Sequence, residues 1–474
     1  MVSLPIQAGA CIKLVTNVTV LGAANGTVTI PITSAANAAV AQTALTGISM
    51  AVAAGTLMQV DPTGAGSLPS PATTAIGLFE QSDTTAPAPF VIGNGYVSAV
   101  LDGTASESVL TGVDPGEIVV SGAAGAMVGN SGFNTQVFFG GGNNFFVAIG
   151  SPVLDLAPTA QVYLDGNGYF DVSYGATTIF AGVGAAMNVA NDGDASNTVN
   201  LEPGNETNTL VFSGSSTTAA TVNAAGAGLS VVQDGGAGLI NANDSNVTIY
   251  GVAESGDGSV TLFGGNGIDN VSNGSGLFRA GSGGGSLLVS NTAPGAATLI
   301  GGAAGDTLQA LGGGDLMVAG SGNETLLGGQ APIIAIGFRG TAPAGAVTAV
   351  TGSASGGNVF FIGNGATSIT GNHGDAGGNV YVELTNGPNT AEITDFVSAV
   401  DPSGAPVVDH DLISLAMPGG GDYQLDPGAG ASVATNQVSY SYSSINGSIA
   451  TIVQFGDGAT WTLLNAELHS GDFA

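Results

Sequence analysis

Between residues 264 and 329 the chain repeats one small unit: a glycine-rich polar turn, two or three apolar residues, and another turn. Gly264-Gly265-Asn266-Gly267-Ile268-Asp269-Asn270-Val271-Ser272 is one nonapeptide, and Gly301-Gly302-Ala303-Ala304-Gly305-Asp306-Thr307-Leu308-Gln309 is a second. Gly312-Gly313-Gly314-Asp315-Leu316-Met317-Val318 shortens the turn, and Gly320-Ser321-Gly322-Asn323-Glu324-Thr325-Leu326-Leu327 sets Glu where the others carry Asp. Around Gly281-Ser282-Gly283 and Gly295-Ala296-Ala297 the spacing persists without the acid. Glycine reaches backbone conformations with φ > 0, so a few residues can reverse the chain. The apolar residue after each turn (Val271, Leu308, Leu326) then starts a strand of about three residues that points into a narrow core. Such units bury their apolar face only by stacking on one another. With two repeats per coil, turns two repeats apart share a side. Asp306 and Glu324 therefore fall in adjacent turns, Asp315 lies on the opposite edge, and Asp269 is on the Asp306 side one acid-free coil away.

Elsewhere helical periodicity fails almost throughout. Apolar residues alternate in runs of three to five broken by Gly, Asn, Asp and Ser, as in Thr27-Val28-Thr29-Ile30, Gln136-Val137-Phe138-Phe139 and Val247-Thr248-Ile249-Tyr250. This is the pattern of short strands and tight turns, and it predicts an all-β chain. Residues 1–150, rich in Ala, Val and Thr with Pro-bearing loops, read as an N-terminal β-sandwich or barrel-like domain. Their Ala-dense stretch 34–55 has room for a short helix but lacks a charged face. Residues 151–263 read as an irregular β-solenoid, 264–390 as a parallel β-helix or β-roll, and 391–474 as a C-terminal β cap.

Composition narrows the partners. Three Lys and Arg (Lys13, Arg279, Arg339) stand against 34 Asp and Glu, for a net charge of −31. Charged residues are only 8% of the chain, where a soluble domain carries about 25%, so the acidity comes from missing bases. Three cations cannot neutralise a row of phosphates, which excludes nucleic acid, or hold an anionic membrane by charge. Apolar residues still make up 44%, enough for a core and unlike a disordered acidic tail. No apolar run approaches the ~18 residues that span a bilayer, and no membrane insertion is expected. The single cysteine, Cys11, rules out an internal disulfide framework or a multi-Cys metal site and reads as a small buried residue. The segment MVSLPIQAGACIK lacks a basic stretch followed by an apolar one, so no conventional signal peptide is visible.

The nonapeptides resemble the RTX repeat, G-G-x-G-x-D-x-U-x, a calcium-binding β-helix motif. The resemblance implies Ca2+ as the cofactor, with Gly264, Gly265, Asp269, Gly301, Gly302, Asp306, Asp315, Gly320 and Glu324 as candidate site residues. Exposed turn carbonyls with one carboxylate per turn are the hard oxygen ligands that calcium prefers. The same acids can instead cap their turns by hydrogen bonds to backbone. The C-terminal end carries a second resemblance. Ile393-Thr394-Asp395-Phe396 and Asp411-Leu412-Ile413-Ser414-Leu415 look like the segment that closes RTX arrays, with a longer insertion at 397–409. Residues 455–464 and Gly471-Asp472-Phe473-Ala474 are similar to the family's uncleaved export region. Together these imply a substrate of type I secretion, located outside the cell or at the cell surface of a Gram-negative bacterium. They also account for the missing N-terminal signal.

No catalytic constellation is legible. The histidines are His373, His410 and His469; there is no H-E-x-x-H and no G-x-S-x-G elbow with suitable partners. Trp461 is the single Trp, and aromatic residues for sugar subsites are few. What remains is a non-enzymatic, calcium-dependent, self-assembling extracellular structural protein of the surface-layer or matrix-fibre type. Small side chains on flat β-faces lose little entropy on packing, and calcium would relieve the repulsion of −31. Its partner would be itself, with cell-surface polysaccharide a further candidate. The main alternative is a monomeric adhesin or carbohydrate-binding exoprotein, for which Phe138-Phe139 and Phe145-Phe146 are the aromatic candidates. An ice-binding coil would need ranked Thr-x-Thr motifs, and here they are scattered. An enzyme of unrecognised class is the remaining alternative.

Overall fold

The computed structural model describes residues 16–21, 27–32, 35–60, 75–80 and 90–91, and from residue 96 onward the strands with part of the turns between them. Cys11 and the loops at 61–64 and 86–89 lie outside the described residues. The chain forms two compact units, 1–228 and 229–474. Among the described residues no helix is long and apolar enough to cross a membrane.

In the first unit an antiparallel pair, Thr16–Leu21 with Thr27–Ile32, precedes a helix, Ala35–Ala53. Leu57–Val60 pairs in parallel with the next strand, Ala75–Glu80, and from there on the strands fall alternately into two parallel sheets, each pairing with the next but one. This is a parallel β-solenoid. Its inward residues form ladders: Val137, Val162, Ile179, Val199 and Val222 are in register and buried on one sheet. Val128, Phe146, Phe170, Val189 and Leu210 do the same on the other. The sandwich or barrel expected over 1–150 is therefore corrected: the described strands between Leu57 and Ala148 are coils of the solenoid. Apolar/polar alternation marks a half-buried strand but carries no information on whether its neighbour runs parallel or antiparallel.

The second unit is also a parallel β-solenoid, and its ladder on one sheet runs through Leu262, Phe278, Leu299, Met317, Ala335, Phe360, Tyr381 and Ile413, all buried. The facing ladder is Leu308, Leu326, Val350, Ile369, Ile393 and Leu463. Each coil contributes few inward side chains, at about 1.5–3 kcal/mol apiece. Ordering the backbone costs roughly 1–2 kcal/mol per residue, so no coil stands alone and the stack is the folding unit.

The solenoid ends in a mixed sheet. Asn389–Ile393 pairs in parallel with Thr460–Leu464, which pairs antiparallel with Ser448–Phe455, and that with Gln437–Ile445. Trp461 is fully buried there, its indole N–H donating to Asn389 Oδ1 at 3.3 Å and its ring 4.5 Å from Phe455. The acids of the closing segment are backbone caps. Asp395 accepts the Gly371 and Asn372 amides at 2.6 and 2.7 Å. Asp411 accepts those of Asn379 and Val397 at 2.6 and 3.0 Å. Asp472 accepts Ala399 and His469 amides and the Ser398 hydroxyl.

Candidate metal centre

The turn preceding Thr307–Ala310 and the one preceding Glu324–Gly328 lie in adjacent coils, with Thr307 in register with Thr325 and the Thr325 amide donating to the Asp306 carbonyl at 2.9 Å. Asp306 and Glu324 thus sit one above the other at the mouth of the same sheet, both buried. Asp269 is buried on the same side, at the start of Asp269–Ser272, with the Leu287–Ser290 strand next in register. Asp315 begins the strand Leu316–Val318 on the other sheet.

These four acids do different things. Asp269 Oδ1 accepts the Val247 amide of the preceding coil at 3.2 Å, and Asp315 Oδ1 accepts the Ala297 amide at 2.7 Å. Asparagine fills that role elsewhere: Asn144 caps Ala126, Asn197 caps Thr177, Asn208 caps Met187 and Asn358 caps Ile333, at 2.8–3.2 Å. A neutral amide serves this inter-coil cap, so the cap alone does not call for a charge. Asp306 departs from the pattern, its Oδ2 accepting the Gly302 amide of its own turn at 2.5 Å while Oδ1 makes no hydrogen bond. Neither oxygen of Glu324 completes one. Among the described residues no Lys, Arg or His pairs with either; the ion pair present is His373 with Asp411, at 3.2 Å.

The electrostatics follow from this. Burial pushes Glu324 up to about 7, the Asp306 charge adds to it, and the nearby Gly322 amide offsets only part. Burial likewise raises Asp306 against the lowering effect of the Gly302 amide. Asp269 rises to about 7 through burial and the Asp306 charge, with the Val247 amide opposing. Three buried carboxyl groups on one side of the coil, two of them sensing the third, thus resist ionisation where water does not compensate the charge.

The glycines make room for them. A methyl group on Gly264 would stand 2.6 Å from Asp269 Oδ2, and one on Gly301 would stand 2.5 Å from Glu324 Oε2. At Gly281 it would collide with the Gly265 carbonyl oxygen, and at Gly320 or Gly302 with the carbonyl of the turn beneath. The turns are tied by Gly264 N–H to Arg279 O at 2.7 Å, Gly301 N–H to Val318 O at 2.8 Å and Ser321 N–H to Gly302 O at 2.8 Å. Against this stack lies a cleft of about 540 Å³ bordered by Phe263, Arg279, Gly302, Gly320 and Phe338.

The buried, unsatisfied oxygens of Asp306 and Glu324 beside glycine cradles fit a hard, oxygen-seeking cation such as calcium. They supply two carboxylates; among the described residues no group of three or more His, Cys, Asp or Glu side chains converges, and the set does not suit zinc. The sequence alone did not reveal the Asn caps or two further buried acids, Glu117 and Glu383, the latter accepting from Asn389 at 2.8 Å. Asn in a glycine-rich turn looks like an ordinary turn residue, and only the coil register reveals its target. His410 lies 3.2 Å from the Val407 and Gly471 carbonyls. No family model, curated protein or solved structure matches the chain.

Proposed function

We propose that this chain is a calcium-dependent, self-assembling extracellular structural protein of the surface-layer or matrix-fibre kind, without enzymatic activity. The observation that carries the reading is the buried Asp306–Glu324 pair, stacked in adjacent turns with three oxygens unsatisfied and, among the described residues, no basic side chain opposite. Removing charge from water is costly unless it is paired or coordinated, and a calcium ion completed by turn carbonyls and water would answer that cost. The likeness of the turns to the RTX repeat supports the same ion. It also supports export by the type I route to the surface of a Gram-negative bacterium, with 264–390 as the calcium-responsive section. Calcium outside the cell is abundant enough to fill weak sites, and inside it is not, so folding would follow export. Sedimentation and electron microscopy of the full chain, first in millimolar calcium and then in excess chelator, test the reading. Ordered sheets or filaments that dissolve on chelation are expected, and a folded monomer under both conditions would overturn it.

One observation favours the carbohydrate-binding alternative. Phe139 and Phe146 are core residues, and Phe138 is buried against Tyr163. Phe145, however, is half-buried on the outer face, stacked at 5.0 Å on Tyr169, which is 43% exposed; Met127 beside it is 44% exposed. An aromatic ladder on a flat β-face, next to the exposed amide of Asn188, suits a neutral saccharide. Retention of the wild type on immobilised neutral polysaccharide, lost in Tyr169→Ala, would support it; equal elution of both would not.

A further inference from the structure

We propose that the outer edge of the Gln437–Ile445 strand is the surface through which two copies of this chain join, by antiparallel strand-to-strand pairing. The inference rests on the self-assembly reading above and says where that assembly begins.

The strand and its partner Ser448–Phe455 are closed by Asn446-Gly447, with φ of 53° and 83°. This is the two-residue hairpin turn whose flanking pair, here Ile445 and Ser448, exchanges backbone hydrogen bonds. Alternation then turns the N–H and C=O groups of Ser439, Ser441 and Ser443 toward the partner strand. Those of Val438, Tyr440, Tyr442 and Ser444 face the other way. The short strand Gln424–Leu425 covers the start of that edge, where the Asp426 amide donates to the Val438 carbonyl at 2.9 Å. Beyond it, among the described residues, Tyr440, Tyr442 and Ser444 have no backbone partner on that side. Residues 441–444 are exposed on both faces, Tyr442 at 56%, with Ile449 across the hairpin at 49%. Side-chain contacts hold the strand in place: Tyr440 stacks on Phe473 at 5.6 Å, and the Tyr442 hydroxyl donates to the Leu468 carbonyl at 2.8 Å.

Exposed edges are ordinarily blunted by lysine, proline, a bulge or brevity. This one is nine residues long and carries none of those devices. Residues 437–455 contain no charged side chain at all, in a chain of net charge −31. Pairing along this edge sets no charged side chain of either hairpin against its copy. Antiparallel pairing about Tyr442 is self-complementary, each copy presenting to the other the groups it needs in return. A second copy is therefore the occupant that suits both the charge and the symmetry.

The test uses the full chain in millimolar calcium, with sedimentation velocity over a concentration series. Ser444→Pro removes an outward N–H that makes no bond within the hairpin, and Ser444→Lys keeps the backbone but sets a charge on the edge. At least tenfold weaker association in both variants is expected, together with slowed amide exchange at Tyr440, Tyr442 and Ser444 when the wild type assembles. If Ser444→Pro misfolds, as its melting curve would reveal, Ser444→Lys and the exchange data decide. Wild type and Ser444→Lys assembling equally, with those amides still exchanging fast, would overturn the edge while leaving self-assembly standing. A wild type that stays monomeric at every concentration would overturn both.

Discussion

Glu324 is a carboxylate in a place where only its protonated form, or a bound cation, is comfortable. Its folded pKa of about 7 lies above the ordinary 4.5. Below pH 4.5 it is protonated folded or unfolded and contributes no pH dependence. Between 4.5 and 7 the unfolded chain gives up the proton first, so the folded state binds more protons and stability falls as pH rises, levelling off above 7. The shift corresponds to roughly 3 kcal/mol lost across that window, and Asp269, also raised to about 7, adds to the same trend. The calcium-free chain should therefore melt at a higher temperature at pH 5 than at pH 8. Glu324→Gln should flatten that slope and stabilise the calcium-free protein at pH 8 by about 1–3 kcal/mol. If calcium binds at this pair, the same substitution should abolish much of the stabilisation the ion would bring. A variant equally destabilised at both pH values, with its full calcium response intact, would show that Glu324 does neither.

At the scale of the coil, two contacts set the spacing. A Cβ at Gly281 has no room against the Gly265 backbone, so Gly281→Ala forces adjacent turns apart and should lower stability by about 1–3 kcal/mol. Gly387, with nothing within 4 Å of a Cβ, is the control, and Gly387→Ala should stay within about 0.5 kcal/mol; urea melts of both compare them. Asn358 is buried and ties four groups: it accepts the Ile333 and Ser353 amides and donates to the Gly371 carbonyl and Asn379 Oδ1. Asn358→Ala strands those amides and should cost about 2–4 kcal/mol, measured as a shift in urea midpoint. The two cases also show what sequence can convey. Residues 264–329 were readable because glycine spacing, turn length and the apolar residue after the turn all state one geometry, and two repeats per coil set Asp306 beside Glu324. Leu57–Ala148 was not, because its turns vary in length and its alternation suits either pairing direction. The helix Ala35–Ala53 shows no polar stripe, its periodicity hidden in alanine. The caps escaped notice because Asn358 answers Ile333, a residue 25 positions away, through a register that exists only once the coils are stacked.

For the whole molecule, the governing quantity is a net charge of −31, left after three cations offset 34 acids. Calcium can help such a chain in two ways, by occupying sites inside the coil or by screening charge between copies, and the two make different predictions. Screening is not selective: it depends on ionic strength, and the Debye length falls from about 8 Å at physiological salt to about 3 Å at 1 M. A site is selective. Magnesium insists on near-octahedral geometry and gives up its water reluctantly, so a site built from two carboxylates and turn carbonyls should hold it poorly, whereas calcium tolerates irregular oxygen cages. Binding to the folded state alone adds about 2.7 kcal/mol when the ion is at 100 times its Kd, so occupancy shows as a rise in melting temperature. Millimolar calcium should therefore raise both the melting temperature and the degree of assembly. Magnesium at the same concentration, or sodium chloride at matched or higher ionic strength, should leave the melting temperature near its chelated value and restore association only in part. If magnesium or salt alone reproduces both effects, calcium acts merely as a counterion. The buried pair at Asp306 and Glu324 would then have to be protonated in the assembled protein, and assembly would strengthen as the pH is lowered, with no metal present.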